Sequence, residues 1–353
     1  MSSSQTYSPF RSVLLREWRR MTSRRLYFGV CIILPLFTLF FMATIFGNGQ
    51  MENIPIGIVY QDNTASSRAI ARNISAVPTF KVTRHFVNEE AARKAVQKKE
   101  IYGYLSIPPK FEQDAISGKN APLSYYYHYA LLSVGGELMA AFETSLAPVS
   151  LSPIVMQAVA LGVEQDKITT FLLPVQASNH PIYNPSLDYS VYLSQPFFFV
   201  LFQVLILLIT VYAVGIEIKF RTADEWLFVA KGNMVTAVLG KLLPYTIIFI
   251  LIGWLANYVM FGILHIPFQG SWLLMNMLTA LFVVATQALG LFLFSLFPAI
   301  SLIISIVSMV GSLGATLSGV TFPVTNMYPL VRDASYLFPV RHFTEMMQNM
   351  LYG

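Results

Sequence analysis

The sequence predicts an α-helical polytopic membrane protein with five spans and an inserted α/β domain, on three observations. The 353 residues are 55% hydrophobic and only 12% charged, outside the range of soluble globular chains. No Asp, Glu, Lys or Arg occurs between Lys241 and Arg332, and two further uncharged runs cover residues 26–51 and 189–216. From Ile54 onward the pattern changes to short alternating strands and amphipathic helices.

The first 25 residues hold Arg11, Arg16, Arg19, Arg20, Arg24 and Arg25 against the single acid Glu17, so this arm carries the whole formal surplus of +5. The basic pI therefore says nothing about nucleic acid. Ser8-Pro9 is a helix start, and Phe10, Val13, Leu14, Trp18 and Met21 recur at helical spacing with arginine opposite. Such a helix fits the headgroup layer of membrane lipid, with Trp18 at the interface and arginines on lipid phosphate. Arginines just before a first span, residues 26–48, predict a cytosolic amino terminus. The run is longer than the roughly 7–15 residues of a signal-peptide core, so an uncleaved anchor is expected.

Residues 49–188 are then expected outside, as an extracytoplasmic α/β domain. Strands fit 54–60, 80–86, 101–107 and 123–129, and helices fit 66–75, 88–99 and 110–117, with turn chemistry at Gln61-Asp62-Asn63-Thr64 and Pro108-Pro109. A long helix over 131–163 and irregular segments at 171–175 and 179–185 lead back to the membrane. The single cysteine, Cys31, lies in the first span, so this domain has neither a disulfide framework nor a thiol metal site.

Residues 189–320 supply spans two to five. Between the second and third, loop 216–241 contains Thr222-Ala223-Asp224-Glu225, a capping-box pattern. A short helix should start there, made amphipathic by Trp226, Leu227, Val229 and Ala230 and closed by Lys231-Gly232. The parity of the spans puts it in the cytosol. The third span is expected from Leu242 and the fourth from Trp272 to Phe297. In the fifth, Ser301, Ser305, Ser308, Ser312, Ala315 and Gly319 form one small-residue face for close helix packing, expected within the same chain rather than with a second copy. Residues 321–353 are an extracytoplasmic re-entrant or interfacial segment.

Nucleotide binding by a phosphate loop needs a glycine-rich run before Lys and Ser or Thr, and the two Gly-Lys pairs, at Gly118 and Gly240, do not fit. The five histidines are scattered and no nucleophile elbow occurs, so catalytic residues and a metal site are not expected. The uncharged runs place no ionisable group deep in a span, which disfavours an ion-coupled carrier. The amides of Gln203, Asn257, Asn276 and Gln287 lie at membrane depth, as helix-joining groups or as pathway contacts.

In this order the parts resemble the permease subunits of type-2 ABC exporters that carry a large external domain between the first two spans. The resemblance rests on Ile56-Gly57-Ile58-Val59-Tyr60-Gln61-Asp62-Asn63-Thr64, on 102–108 with Phe111, and above all on 317–323 followed by 337–343. Glu217 to Thr222 fits the family pattern in part, because Lys219 and Arg221 replace its second Glu and its Gly. The resemblance implies that residues 217–231 dock a separate cytosolic ABC ATPase, with Glu217, Thr222, Asp224, Glu225, Trp226 and Lys231 as coupling residues. It also implies a second permease subunit and, in bacteria with two membranes, a periplasmic adaptor and an outer-membrane channel. This chain would hold no cofactor, ATP and Mg being on the partner. Cargo would be hydrophobic or amphipathic, drug-like or lipid-like, moved out of the cytosol or inner leaflet. A sixth span present in similar chains is expected to be missing here. The alternative is a membrane-anchored receptor whose external domain binds a ligand.

Overall fold

The computed structural model describes residues 8–45, 51–117, 122–131, 133–146 and 190–352. The chain divides into two compact units, residues 1–49 with 188–353, and residues 50–187. In chain order the first unit opens with α1 (Pro9–Ser23) and α2 (Arg25–Ile45). The second contributes β1 (Ile54–Tyr60), α3 (Ala65–Ser75), β2 (Phe80–Phe86), α4 (Glu89–Gln97), β3 (Gly103–Ile107), α5 (Phe111–Ile116), β4 (Ser124–Tyr127) and α6 over 133–146. The first then resumes with α7 (Tyr192–Lys219), α8 (Ala223–Val229), α9 (Met234–Ile263), α10 (Trp272–Leu296), α11 (Ile300–Leu317), α12 (Pro329–Ser335) and α13 (Pro339–Tyr352).

In the second unit the strands order as β2-β1-β3-β4, with β1 parallel to β2 and β3, and β4 antiparallel to β3. Ile54, Ile56 and Ile58 alternate onto one face, where they meet Ile70, Ile74, Leu138 and Phe142 of two helices. Val59 and Tyr104 face the other way, onto Ala92 and Ala95 of α4. A sheet covered on both faces follows from parallel pairing, because crossover helices must lie over it. The helix expected over 131–163 is described only at 133–146; its remainder, with 171–175 and 179–185, lies outside the described residues.

In the first unit α2, α7, α9, α10 and α11 are long and apolar enough to cross a membrane. The third of these begins at Met234, well before the expected Leu242, so Lys241 lies inside a spanning helix. Helix α11 packs on α7 through Ile303, Val307, Gly311 and Gly314, all buried. A β-carbon at Gly311 would lie 2.7 Å from Val204 Cγ2, so only glycine permits this approach. The small-residue face expected to pack within the chain is not the one used: Ser301, Ser305 and Ser312 are exposed, and Ser308, Ala315 and Gly319 only partly buried. Helix α13 returns into the bundle, with the Phe343 ring 4.1 Å from Phe199 and 4.9 Å from Phe282.

Candidate functional site

Helix α1 starts at Ser8, whose hydroxyl accepts from the Arg11 amide, and buries Val13, Glu17 and Met21. It packs on α9 where Gly240 allows it, since a β-carbon there would lie 3.0 Å from Val13 Cβ and 3.2 Å from the Phe10 carbonyl. That approach carries Glu17 and two arginines to the ends of α7 and α9. Glu217, fully buried in the last turn of α7, accepts from Arg16 through both oxygens at 3.0 and 3.1 Å, from Lys241 at 2.7 Å, and from Arg20. Lys241, also fully buried, donates to Glu17 at 2.6 Å, and the Tyr245 hydroxyl donates to the other Glu17 oxygen at 2.7 Å.

Two carboxylates thus meet three cations, with Glu17, Glu217 and Lys241 buried and Arg16 and Arg20 at the partly exposed edge. An isolated charge there would be strongly unfavourable, and mutual pairing with hydrogen bonds on the remaining lone pairs offsets this. The cluster is a clasp joining α1, α7 and α9. It corrects one expectation, since Arg16 and Arg20 are committed to a protein carboxylate rather than to lipid phosphate; Glu217 and Lys241 lie near the ends of their helices rather than deep in them.

The clasp extends to α8. The Thr222 hydroxyl donates to the Glu217 carboxylate instead of capping the helix, so the expected capping box does not form. Trp226 is buried, its indole N–H donates to the Ala237 carbonyl at 3.1 Å, and Lys241 Nζ lies 5.3 Å from its ring centroid. The turn after α8 passes through Lys231 and Gly232 at φ of 54° and 77°, which returns the chain into α9. Asp224, Glu225 and Lys231 are exposed. So is Phe228, at 84%, the most exposed aromatic side chain of α8, with Met234 and Val235 exposed just beyond. Sequence reasoning singled out Trp226 and passed over Phe228. An aromatic at the ordinary spacing of an amphipathic helix marks the buried side, and no local signal separates the two.

The four amides form hydrogen bonds within the bundle. Gln203 Oε1 accepts from the Val340 amide at 2.9 Å, at the start of α13. Asn257 Nδ2 donates to Asn276 Oδ1 at 3.2 Å and to Thr279 at 2.9 Å, and its Oδ1 accepts from Gln195 at 3.3 Å. Gln287 Oε1 accepts from Thr246 at 2.7 Å. In each case the bond links two different helices.

The family model described as ABC-2 family transporter protein matches residues 25–353. The chain is 22% identical over 348 residues, 96% of its own length and 87% of theirs, to two proteins described as probable multidrug ABC transporter permease YbhS, from Escherichia coli strain K12 and from Escherichia coli O157:H7. No solved structure matches the chain.

Proposed function

Since this chain belongs to the ABC-2 family of transporter proteins and is a transmembrane permease subunit of an ABC exporter, we propose that α8 is the element its ATPase partner moves. The observation that carries this is the two-sided character of α8. One side is locked by Trp226 to the clasp, and the other presents Phe228 at 84% exposure. Exposed aromatics ringed by charges, here Asp224, Glu225 and Lys231, are typical anchors of protein interfaces.

A push on Phe228 reaches Lys241 through the Trp226 ring, and from Lys241 reaches Glu17, Tyr245 and Glu217. Tyr245 in turn lies with its ring 6.2 Å from Tyr27 of α2. Four helices and α8 therefore share one set of contacts, the arrangement that lets docking at one end bias the packing of a bundle. On this reading Glu217, Thr222 and Trp226 transmit, and Asp224, Glu225, Phe228 and Lys231 dock.

The same reading puts the amino terminus and α8 in the cytosol and residues 50–187 outside, and pairs two permease subunits, with α11 presenting its small, exposed serines to the second. ATP and Mg belong to the partner. The cargo is drug-like or amphipathic, a class supported by the relatives' description as multidrug permeases and by the absence of charge over most of the spans. An adaptor and an outer-membrane channel would complete the route in a cell with two membranes. The test is Phe228→Asp in the assembled transporter: ATPase co-purification should fall at least tenfold while thermal stability holds. Undiminished co-purification would overturn the assignment of α8 as the docking element.

A further inference from the structure

At the opposite end of α11 from Ile300 the chain turns at Gly319, with φ of 85°, and runs through Val324–Asn326 and α12 before re-entering as α13. These segments line an open cleft of about 750 Å³, within the roughly 300–1,000 Å³ typical of small-molecule sites. Val320, Pro323 and Val324 give it an apolar wall, and Arg332, Asp333, Arg341 and Glu345 a charged one.

Arg341 is the unusual member. It is 5% exposed, and its guanidinium carbon lies 3.9 Å from the Tyr336 ring centroid, a cation–π contact that holds it in place. Its Nη2 is 3.8 Å from Glu345 Oε2, on a side chain 59% exposed and therefore a weak, well-hydrated partner. Its Nε and Nη1 are buried and have no hydrogen-bond partner among the described residues. Arg332 lies 3.7 Å from Asp333, so that pair contributes little net charge to the site. A guanidinium cannot lose its proton, so the burial cost of these donors cannot be relieved by neutralisation. Glu345 offsets part of the charge through Nη2 but leaves Nε and Nη1 without an acceptor. A ligand oxyanion would supply both the acceptor and the remaining countercharge.

We propose that this cleft binds the carboxylate or phosphate group of an acidic molecule, with Arg341 as the residue that recognises it. The guanidinium so held is pre-organised for planar or tetrahedral oxyanions, and the apolar wall beside it would receive an attached hydrocarbon.

The experiment uses the purified full chain in a neutral maltoside detergent. Thermal unfolding is followed while inorganic phosphate or dodecyl phosphate is titrated at constant ionic strength. Wild type should show a saturable rise in Tm that Arg341→Gln abolishes and Arg19→Gln, a substitution on exposed α1 surface, leaves intact. A response to dodecyl phosphate at concentrations where inorganic phosphate has no effect assigns the site to the headgroup of an amphiphile. Comparable responses to both assign it to a free anion. Should Arg341→Gln fail to accumulate, Arg341→Lys keeps the charge with fewer donors and should weaken binding about tenfold. Equal responses from wild type and the Arg341 variant, or no response to either probe, overturn the proposal. Because the ATPase is absent from this assay, its failure would leave the exporter reading untouched.

Discussion

Replacing Glu217 by Gln tests whether the clasp is a packed ion cluster or a solvated group of charges. The substitution preserves shape but leaves one carboxylate, Glu17, facing Arg16, Arg20 and Lys241. Arg16 and Arg20 retain 24% and 16% exposure and can rehydrate, whereas Lys241 is fully buried and cannot. Removing one partner from a buried pair typically costs about 3–5 kcal/mol. Lys241 still has Glu17 at 2.6 Å, which points to the lower end, about 3 kcal/mol. At roughly 2–4 °C per kcal/mol, that is a fall in Tm of about 6–12 °C, read by tryptophan fluorescence in detergent. The double variant Glu217→Gln/Lys241→Met removes one charge of each sign and should recover half or more of the loss. A single variant within about 1 °C of wild type, or losses that add within about 0.5 kcal/mol, would refute the buried-cluster account.

Trp226→Ala should reduce both stability, by about 3–5 kcal/mol, and ATPase association, because the indole is the buried side of α8; a loss of association at unchanged Tm would instead make Trp226 a direct contact. Gly240→Val should drive Val13 and the Phe10 carbonyl away and free α1. Limited proteolysis would then remove the amino-terminal arginines at least tenfold faster than in wild type, and an unchanged rate would show that α1 is held without this close approach.

The elements of the α/β unit were legible because each carries its own local evidence. Ile54–Tyr60 and Phe80–Phe86 are bounded by turn residues, and the observed strands coincide with them. The clasp was not legible, since Arg16 and Glu217 are separated by 201 positions and no local pattern joins them. Glu17 reads in sequence as a stray acid among arginines, yet it is almost fully buried. Lys241 was misplaced because a charge is the natural marker of a span's end, and a partner carboxylate is what allows it further in. Period also identified a small-residue stripe on α11 without saying which stripe the fold uses. The Gly311 and Gly314 side packs on α7 because a β-carbon is forbidden there, a fact set by the neighbour rather than by the helix.

The clasp also imposes an order on biogenesis. Arg16 and Arg20 emerge from the ribosome long before their carboxylate partner, and 201 residues at about 5–20 residues per second take roughly 10–40 s. Throughout that interval the two side chains have only Glu17 nearby and stay available to anionic headgroups, the condition in which positive charge acts on topology. Only after the end of α7 has been synthesised can Glu217 claim them, and the start of α9 then adds Lys241 to both carboxylates. The same arginines are therefore without their interhelical partner during synthesis and part of a permanent joint afterwards. An error in inserting α7 would leave them unclaimed, giving quality control an exposed basic arm to detect.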